Sequence, residues 1–374
     1  MKILIDNSSL YAGGGIQVAI SFLNDLLELS DENEYHIIQS FAINQLVDSS
    51  KFDKRFSFYA LDKKCGKSIW MRNNRMKKLE KVIKPEVIFT VFGPSYYRSR
   101  VPKIVGFAIG HIVYPDSLFF KKLSLYAFFK NKIINRIKDS FFYFNSDVLI
   151  FETDDAKSRY DKHIGFRLPT YTVSNTLNSI FYNKTDWKEI VVDRSDFNIL
   201  YLTANYSHKN LNIIPDVIDE IINLNPNLDF CFHLSVTKQE MQFDEKYNKY
   251  INYLGVVDLR CIPSLYKQMD SLFMPTLLEI FSASYLEAMF MNVPIIASDL
   301  SFARDICMDS AIYAKADSAR DYATCILRLS EDVSLKNNLI DRGKNNFKRF
   351  GTSMERTQKY LGILEKYINK NETN

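Results

Sequence analysis

Short apolar runs recur along the chain, each closed by a glycine-rich or polar break and followed by a longer segment with apolar residues three and four apart. Runs at residues 2–6, within 82–92, and at 103–109, 147–151 and 173–178 read as buried strands of a first half. Runs at 197–203, 230–234, 253–256, 271–275, 293–297 and 311–313 do the same for a second half. Segments with helical spacing follow at 17–29, 213–223, 262–269, 281–291 and 353–368. Strands apolar on both faces, separated by helices, are the pattern of βαβ units in parallel sheets. The chain is therefore expected to be α/β. Its 374 residues suit two domains better than one.

Two breaks carry chemistry. After the first strand comes Gly13-Gly14-Gly15, leading into a helix. Glycine admits close backbone contact and a helix N-terminus favours an anion, so this turn could approach a phosphate; a plain tight turn accounts for it equally well. The second break lies in SLFMPTLLEIFSASYLEAMFMNVPIIASD, from Ser271 to Asp299. It reads as strand, loop, helix and strand, with Glu279 in the loop and Glu287 eight positions later. Counted along a helix, that spacing is roughly 12 Å of rise and about 80° of rotation, so the pair would flank an elongated ligand and not share a proton. The N–H groups of Ile280, Phe281 and Ser282 fall where a starting helix leaves donors unpaired. Ligands of open α/β sheets bind beyond the C-terminal ends of strands, where Glu279 falls.

Charge changes the picture in one region. Residues 51–150 hold 21 Lys or Arg against 7 Asp or Glu, while the whole chain is only +4. Within it, residues 118–144 interleave six basic residues with Phe and Leu. Such a segment is a candidate for lying on an anionic membrane surface; a core-packed helix pair with a solvated basic face is the alternative. No nucleic-acid-binding motif accompanies the charge, so nucleic acid is not expected as a partner. Cys65, Cys231, Cys261, Cys307 and Cys325 show neither CxxC nor metal-ligand spacing, which argues for reduced thiols in a cytoplasmic protein. The N-terminal apolar stretch is too short for a signal peptide, and no apolar run is long enough to span a bilayer.

Pro275, Glu279 and Leu286-Glu287-Ala288-Met289 together resemble the E-x7-E region of retaining GT-B glycosyltransferases, in particular glycosyltransferase family 4, also described as glycosyl transferases group 1. The family's Glu-Gly-Phe-Gly is here Glu279-Ile280-Phe281-Ser282, without the glycines. The resemblance covers nearly the whole chain and is more specific in the second half. It implies two Rossmann-like domains with parallel sheets facing an interdomain cleft and a C-terminal helix packing back on the first domain. The expected boundaries are 1–185 for acceptor binding, 186–350 for the nucleotide-sugar and 351–374 for the returning helix.

The same resemblance assigns roles. Gly14 and Gly15 would lie near the donor phosphates, and His111, after the strand at 103–109, near the reacting sugar. A lone histidine is more often structural; only the resemblance favours a functional one. Lys209 would bind the donor diphosphate as a point charge. The arginine usual about five residues before it is Ala204 here, which leaves His208 as the nearest substitute cation. Backbone groups near Val256 would read the base, Glu279 would contact the sugar hydroxyls and Glu287 the ribose. The implied reaction is hexosyl transfer from a UDP- or GDP-sugar, with retention, to a glycan acceptor. A polyprenyl-diphosphate-linked acceptor in bacterial-type O-antigen or capsule assembly, on the inner face of the cytoplasmic membrane, is the candidate setting. No Asp-x-Asp motif is present, so no metal or other cofactor is expected. Two alternatives share the fold: a non-catalytic nucleotide- or partner-binding subunit, and a sugar-nucleotide epimerase.

Overall fold

The computed structural model describes residues 1–164 and 167–372. The chain forms two compact units. The first comprises Met1–Tyr114, Ser124–Asn178 and the residues from Thr352 on; the second comprises Pro115–Leu123 and Ser179–Gly351.

The first unit is built on seven parallel strands: β1 (Lys2–Asn7), β2 (Glu34–Gln39), β3 (Phe56–Ala60), β4 (Val87–Thr90), β5 (Lys103–Phe107), β6 (Val148–Phe151) and β7 (Thr170–Thr172). Their order is β3-β2-β1-β4-β5-β6-β7, with Ile5 in register with Ile37 on one side and Phe89 on the other. β1, β4 and β6 are almost wholly buried, as strands covered on both faces must be. One face is covered by the helices Gly14–Glu28 and Ser353–Glu372. Phe22, Phe89 and Tyr360 meet there with ring centroids 5.0–5.6 Å apart. The C-terminal helix is also pinned by polar contacts: Ser353 Oγ and Thr357 Oγ1 each donate to the buried Asp25 carboxylate at 2.8 Å. The expected return of the last helix onto the first domain is what forms.

The second unit has six parallel strands: β8 (Phe197–Tyr201), β9 (Phe230–Leu234), β10 (Ile251–Tyr253), β11 (Ser271–Met274), β12 (Ile295–Ser298) and β13 (Ala311–Ala314). Their order is β10-β9-β8-β11-β12-β13. Phe273 of β11 sits at the centre of the core, edge-on to Tyr201, Phe232 and Tyr322.

Several elements differ from the sequence expectation for local reasons. The first helix begins at Gly14, not residue 17, because Gly13 turns the chain at φ +76° and its carbonyl accepts from Ile16 N. The helix expected from residue 281 begins at Ala283, since Ser282 is still extended. The strand expected at 253–256 is β10, which ends at Tyr253; Gly255 turns at φ +67° and leaves Val256 almost fully exposed. Residues 173–178 are not a strand: β7 stops at Thr172, with Val173 N still bonded to Phe151 O. Residues 118–144 form two helices, Leu118–Lys121 and Leu125–Asn145, the second capped by Ser124.

Candidate functional site

In the second sheet the chain leaves β8 toward β9 and leaves β11 toward β12, in opposite directions. The loops after β8 and β11 therefore lie side by side at a point where no crossover helix covers them, the place where open α/β sheets bind ligands. Hydrogen bonds lock the two loops together. Leu277 N (2.8 Å) and Thr276 Oγ1 (3.2 Å) both donate to His208 O, and Asn210 Nδ2 donates to Pro275 O at 3.2 Å. Asn210 is buried and left-handed (φ 58°), and Tyr201 OH donates to Lys209 O at 2.6 Å. This scaffold turns the Lys209 ammonium onto the Glu279 carboxylate as an ion pair with both side chains mostly buried.

Glu279 is in the loop, four residues before the helix Ala283–Met291. The helical rise and rotation expected between Glu279 and Glu287 therefore do not apply; only Glu287 is helical. Among the described residues, the N–H groups of Ile280, Phe281 and Ser282 make no backbone hydrogen bond. Together with the helix start they form a run of donors beside the Lys209–Glu279 pair. Glu287, one turn into the helix, is buried, and Tyr266 OH donates to its Oε2 at 3.1 Å. Burial pushes the carboxyl up to about 7, and the Tyr266 hydrogen bond opposes that rise. Tyr266 was not visible in the sequence as a site residue; its helix carried only an apolar pattern.

His208 does not supply the expected second cation. Burial, with the adjacent Lys209 charge, holds its imidazole down to about 4, so it is neutral near pH 7. It is stacked on Tyr206 at 5.6 Å and edge-on to Phe119 at 6.3 Å. A cation does reach the loop from Pro115–Leu123, the segment that joins this unit from the first half of the sequence. Lys122 Nζ donates to Asn210 Oδ1 at 2.8 Å, and Ser117 Oγ donates to Leu277 O at 2.6 Å. No motif marks these residues in the sequence. Val256 lies beyond β10, on an exposed turn of the same unit.

Gly14, Gly15 and His111 belong to the first unit. There the order reverses between β1 and β4, and the glycine turn follows β1. A Cβ on Gly15 would lie 3.2 Å from Leu10 Cδ2 and 3.3 Å from Phe92 Cδ2, so a larger residue there would push on the packing of the loops after β1 and β4; one on Gly14 would meet nothing within 4 Å. Tyr11 OH ties the turn to Gly66 O at 2.6 Å. His111 follows β5 in the short helix Gly110–Val113, and its carbonyl accepts from Asn135 Nδ2 at 3.3 Å. Among the described residues no group of three or more His, Cys, Asp or Glu could hold a metal, and all five cysteines are free thiols.

The family model for glycosyl transferases group 1 matches residues 196–332, which include β8 to β13 and the Lys209, Glu279 and Glu287 positions, but not Gly14, Gly15, His111 or the segment Pro115–Leu123. The O-antigen chain mannosyltransferase RfbU of Salmonella typhimurium is 24% identical over 184 residues, 46% of this chain and 51% of that protein. The match thus spans about half the length of this relative. Among solved structures, sucrose-phosphate synthase from Thermosynechococcus elongatus superposes with a TM-score of 0.75 at 11% identity, covering 98% of both chains. Anabaena HepE, solved with UDP and glucose, gives 0.70 at 13% identity over 98% of this chain and 100% of its own. Likeness at that identity shows the fold, and the fold is GT-B. The chain therefore has a GT-B architecture whose residues 196–332 match the family model for glycosyl transferases group 1.

Proposed function

We propose that this chain is a retaining, metal-independent glycosyltransferase that moves a hexosyl group from a UDP- or GDP-sugar to a glycan acceptor. The observation that carries the reading is the Lys209–Glu279 pair beside the free N–H groups of residues 280–282, at the switch point of the sheet that matches the glycosyl transferases group 1 model. In the reaction the bond from the anomeric carbon to the diphosphate breaks, an acceptor hydroxyl oxygen takes its place with the configuration kept, and the hydroxyl's proton passes to the leaving diphosphate. Negative charge then builds on the β-phosphate, and stabilising it is the main electrostatic task. The Lys209 ammonium and the amides of Ile280, Phe281 and Ser282 do this. Glu279 accepts from sugar hydroxyls, Glu287 accepts from the ribose, and backbone near Val256 reads the base edge. Gly14 and Gly15 give the first unit's loop close approach to the substrate, and His111 orients the reacting groups.

The acceptor in this reading is a glycan on a polyprenyl diphosphate, used in surface polysaccharide assembly at the inner face of the cytoplasmic membrane. The similarity to RfbU, an O-antigen chain mannosyltransferase, supports it. So do the basic, aromatic residues of 118–144. A second reading, a subunit that binds nucleotide without catalysis, is favoured by Ala204, by the neutral His208 and by Ile280 and Ser282 in place of glycines. Incubation of purified protein with candidate donors and acceptor, followed by NMR of the product's anomeric proton, separates the readings. A transferase gives a product with the donor's anomeric configuration and free nucleoside diphosphate. A binding subunit gives no turnover, and an epimerase changes the sugar while the nucleotide bond survives.

A further inference from the structure

The helix Leu125–Asn145 in the first unit is inverted with respect to water. Its inward face carries Phe142, fully buried, together with polar side chains that find protein partners. Asn135 Nδ2 donates to His111 O, Asp139 accepts from Tyr160 OH at 3.1 Å, and Asn145 Nδ2 donates to Ser95 O at 2.9 Å. Its outward face carries Leu125, Tyr126, Phe129, Ile133, Ile137 and Phe144, each between 51% and 78% exposed. At about 100° per residue these six fall within a sector roughly 120° wide, on the side opposite Phe142. A surface helix ordinarily turns its polar face out, and a continuous exposed apolar stripe marks a surface that meets something other than water. Lys130 and Lys132 flank the stripe on its two sides, and Arg136 lies within it, between Leu125 and Phe129 around the helix.

Beside the end of this helix lie two adjoining concavities of about 370 and 710 Å³ that share Lys77 and Arg98. The smaller is lined by Tyr96, Ile137, Phe141 and Phe144, the larger by Lys81, Lys84 and Arg100. The one carboxylate in the larger, Glu80, already accepts from Ser99 Oγ and Arg100 N. Arg98 is paired with Asp147 at 2.5 Å, and among the described residues no ion pair involves Lys77, Lys81, Lys84 or Arg100. Apolar side chains therefore run directly into a cluster of unneutralised cations.

We propose that this face is a docking surface for an anionic phospholipid bilayer, with the apolar stripe entering the acyl boundary and the basic concavity taking headgroup phosphates. Apolar burial and attraction to anionic lipid reinforce each other in such a helix, and neither alone gives a stable attachment. The charge selects the occupant: an apolar protein partner would leave the lysines unmatched, and nucleic acid would leave the Phe and Ile side chains unmatched. No helix among the described residues is long and apolar enough to cross a membrane, so this is attachment in the interface plane. The surface stands on its own geometry and does not depend on which sugar is transferred.

The test is flotation of the full chain with phosphatidylcholine vesicles, with and without phosphatidylglycerol. Two variants accompany it: Phe129→Ser/Ile133→Ser/Ile137→Ser, and Lys81→Glu/Lys84→Glu. The wild type binds the phosphatidylglycerol vesicles, more weakly as salt rises; the apolar variant loses roughly tenfold or more in partitioning and the charge variant several-fold. Thermal unfolding and nucleotide binding stay as in the wild type, because all five positions face water. If the apolar variant fails to fold, the charge variant's lost, salt-sensitive binding carries the test. No binding to either vesicle, or binding that neither variant changes, overturns the proposal. So does a self-associated wild type, seen by sedimentation velocity without lipid, that the apolar variant dissociates.

Discussion

Lys209 and Glu279, 70 residues apart in sequence, meet as an ion pair across the ends of two neighbouring parallel strands. The pair occupies the switch point of the second sheet, so under the proposed function the donor's phosphate would compete with Glu279 for the ammonium. Lys209→Ala is expected to weaken nucleoside diphosphate binding about ten- to a hundredfold, the worth of one charge-assisted hydrogen bond. Glu279→Gln releases Lys209: UDP or GDP binds as tightly as before or several-fold tighter, while transfer slows by about a hundredfold. Titration calorimetry and steady-state rates on the two variants check this opposition. Weaker diphosphate binding in Glu279→Gln would show that the pair does not compete.

Glu287 gives a pH signature. Its carboxyl is pushed from an ordinary value of 4.5 up to about 7, so across that window the folded chain keeps a proton the unfolded chain has lost. Stability therefore falls as pH rises from about 4.5 to 7, by on the order of 3 kcal/mol, and stays lower above it. Glu287→Gln removes this slope. Urea midpoints at about pH 5 and about pH 8 should show the variant gaining on the wild type at the higher pH. Donor affinity runs the other way in the wild type, rising through about pH 7 as the acceptor carboxylate forms. Tyr266→Phe, which removes the hydrogen bond that lowers this pKa, moves that rise to higher pH.

His208 is held down to about 4, so between about pH 4 and 6.5 the unfolded chain binds a proton the folded chain does not. Stability drops as pH falls through that window, and His208→Gln makes the acid limb shallower. Near pH 7 the same variant should leave nucleoside diphosphate affinity within about twofold, because a neutral imidazole contributes no charge. A large loss there, with fold intact, would contradict the neutral assignment.

The glycine turn separates a fold requirement from a ligand requirement. Gly15→Ala places a methyl against Leu10 and Phe92 and should lower stability by about 1 kcal/mol. Gly14→Ala meets open space inside a helix and should stabilise the protein by a few tenths to about 1 kcal/mol. If substrate approaches this turn, Gly14→Ala still loses affinity. Thermal melts and donor or acceptor titrations on the same samples distinguish the two effects.

The strand–loop–helix–strand around Glu279 was legible because β11 and β12 are unbroken apolar runs and the glutamates are separated by a helix-length segment. Lys209 was legible only through resemblance, since an isolated lysine has no local pattern. Its pairing with Glu279 was not legible, because the neighbouring of β8 and β11 is a long-range property of the sheet. The basic stretch 118–144 was legible, but not that its first residues, with Ser117, belong to the second unit: the charge pattern says nothing of the backbone carbonyl at Leu277 or the Asn210 amide that Ser117 and Lys122 reach. The helix Leu125–Asn145 shows the same limit. Periodicity gives two faces, and only packing decides that the polar one turns inward.

The most direct test of the central claim is calorimetric titration of the purified chain, without added metal, with a panel of UDP- and GDP-sugars. The account predicts that one of them binds with a Kd in the micromolar range and that Lys209→Ala weakens it about ten- to a hundredfold. Failure of every nucleotide-sugar to bind the folded protein would contradict it.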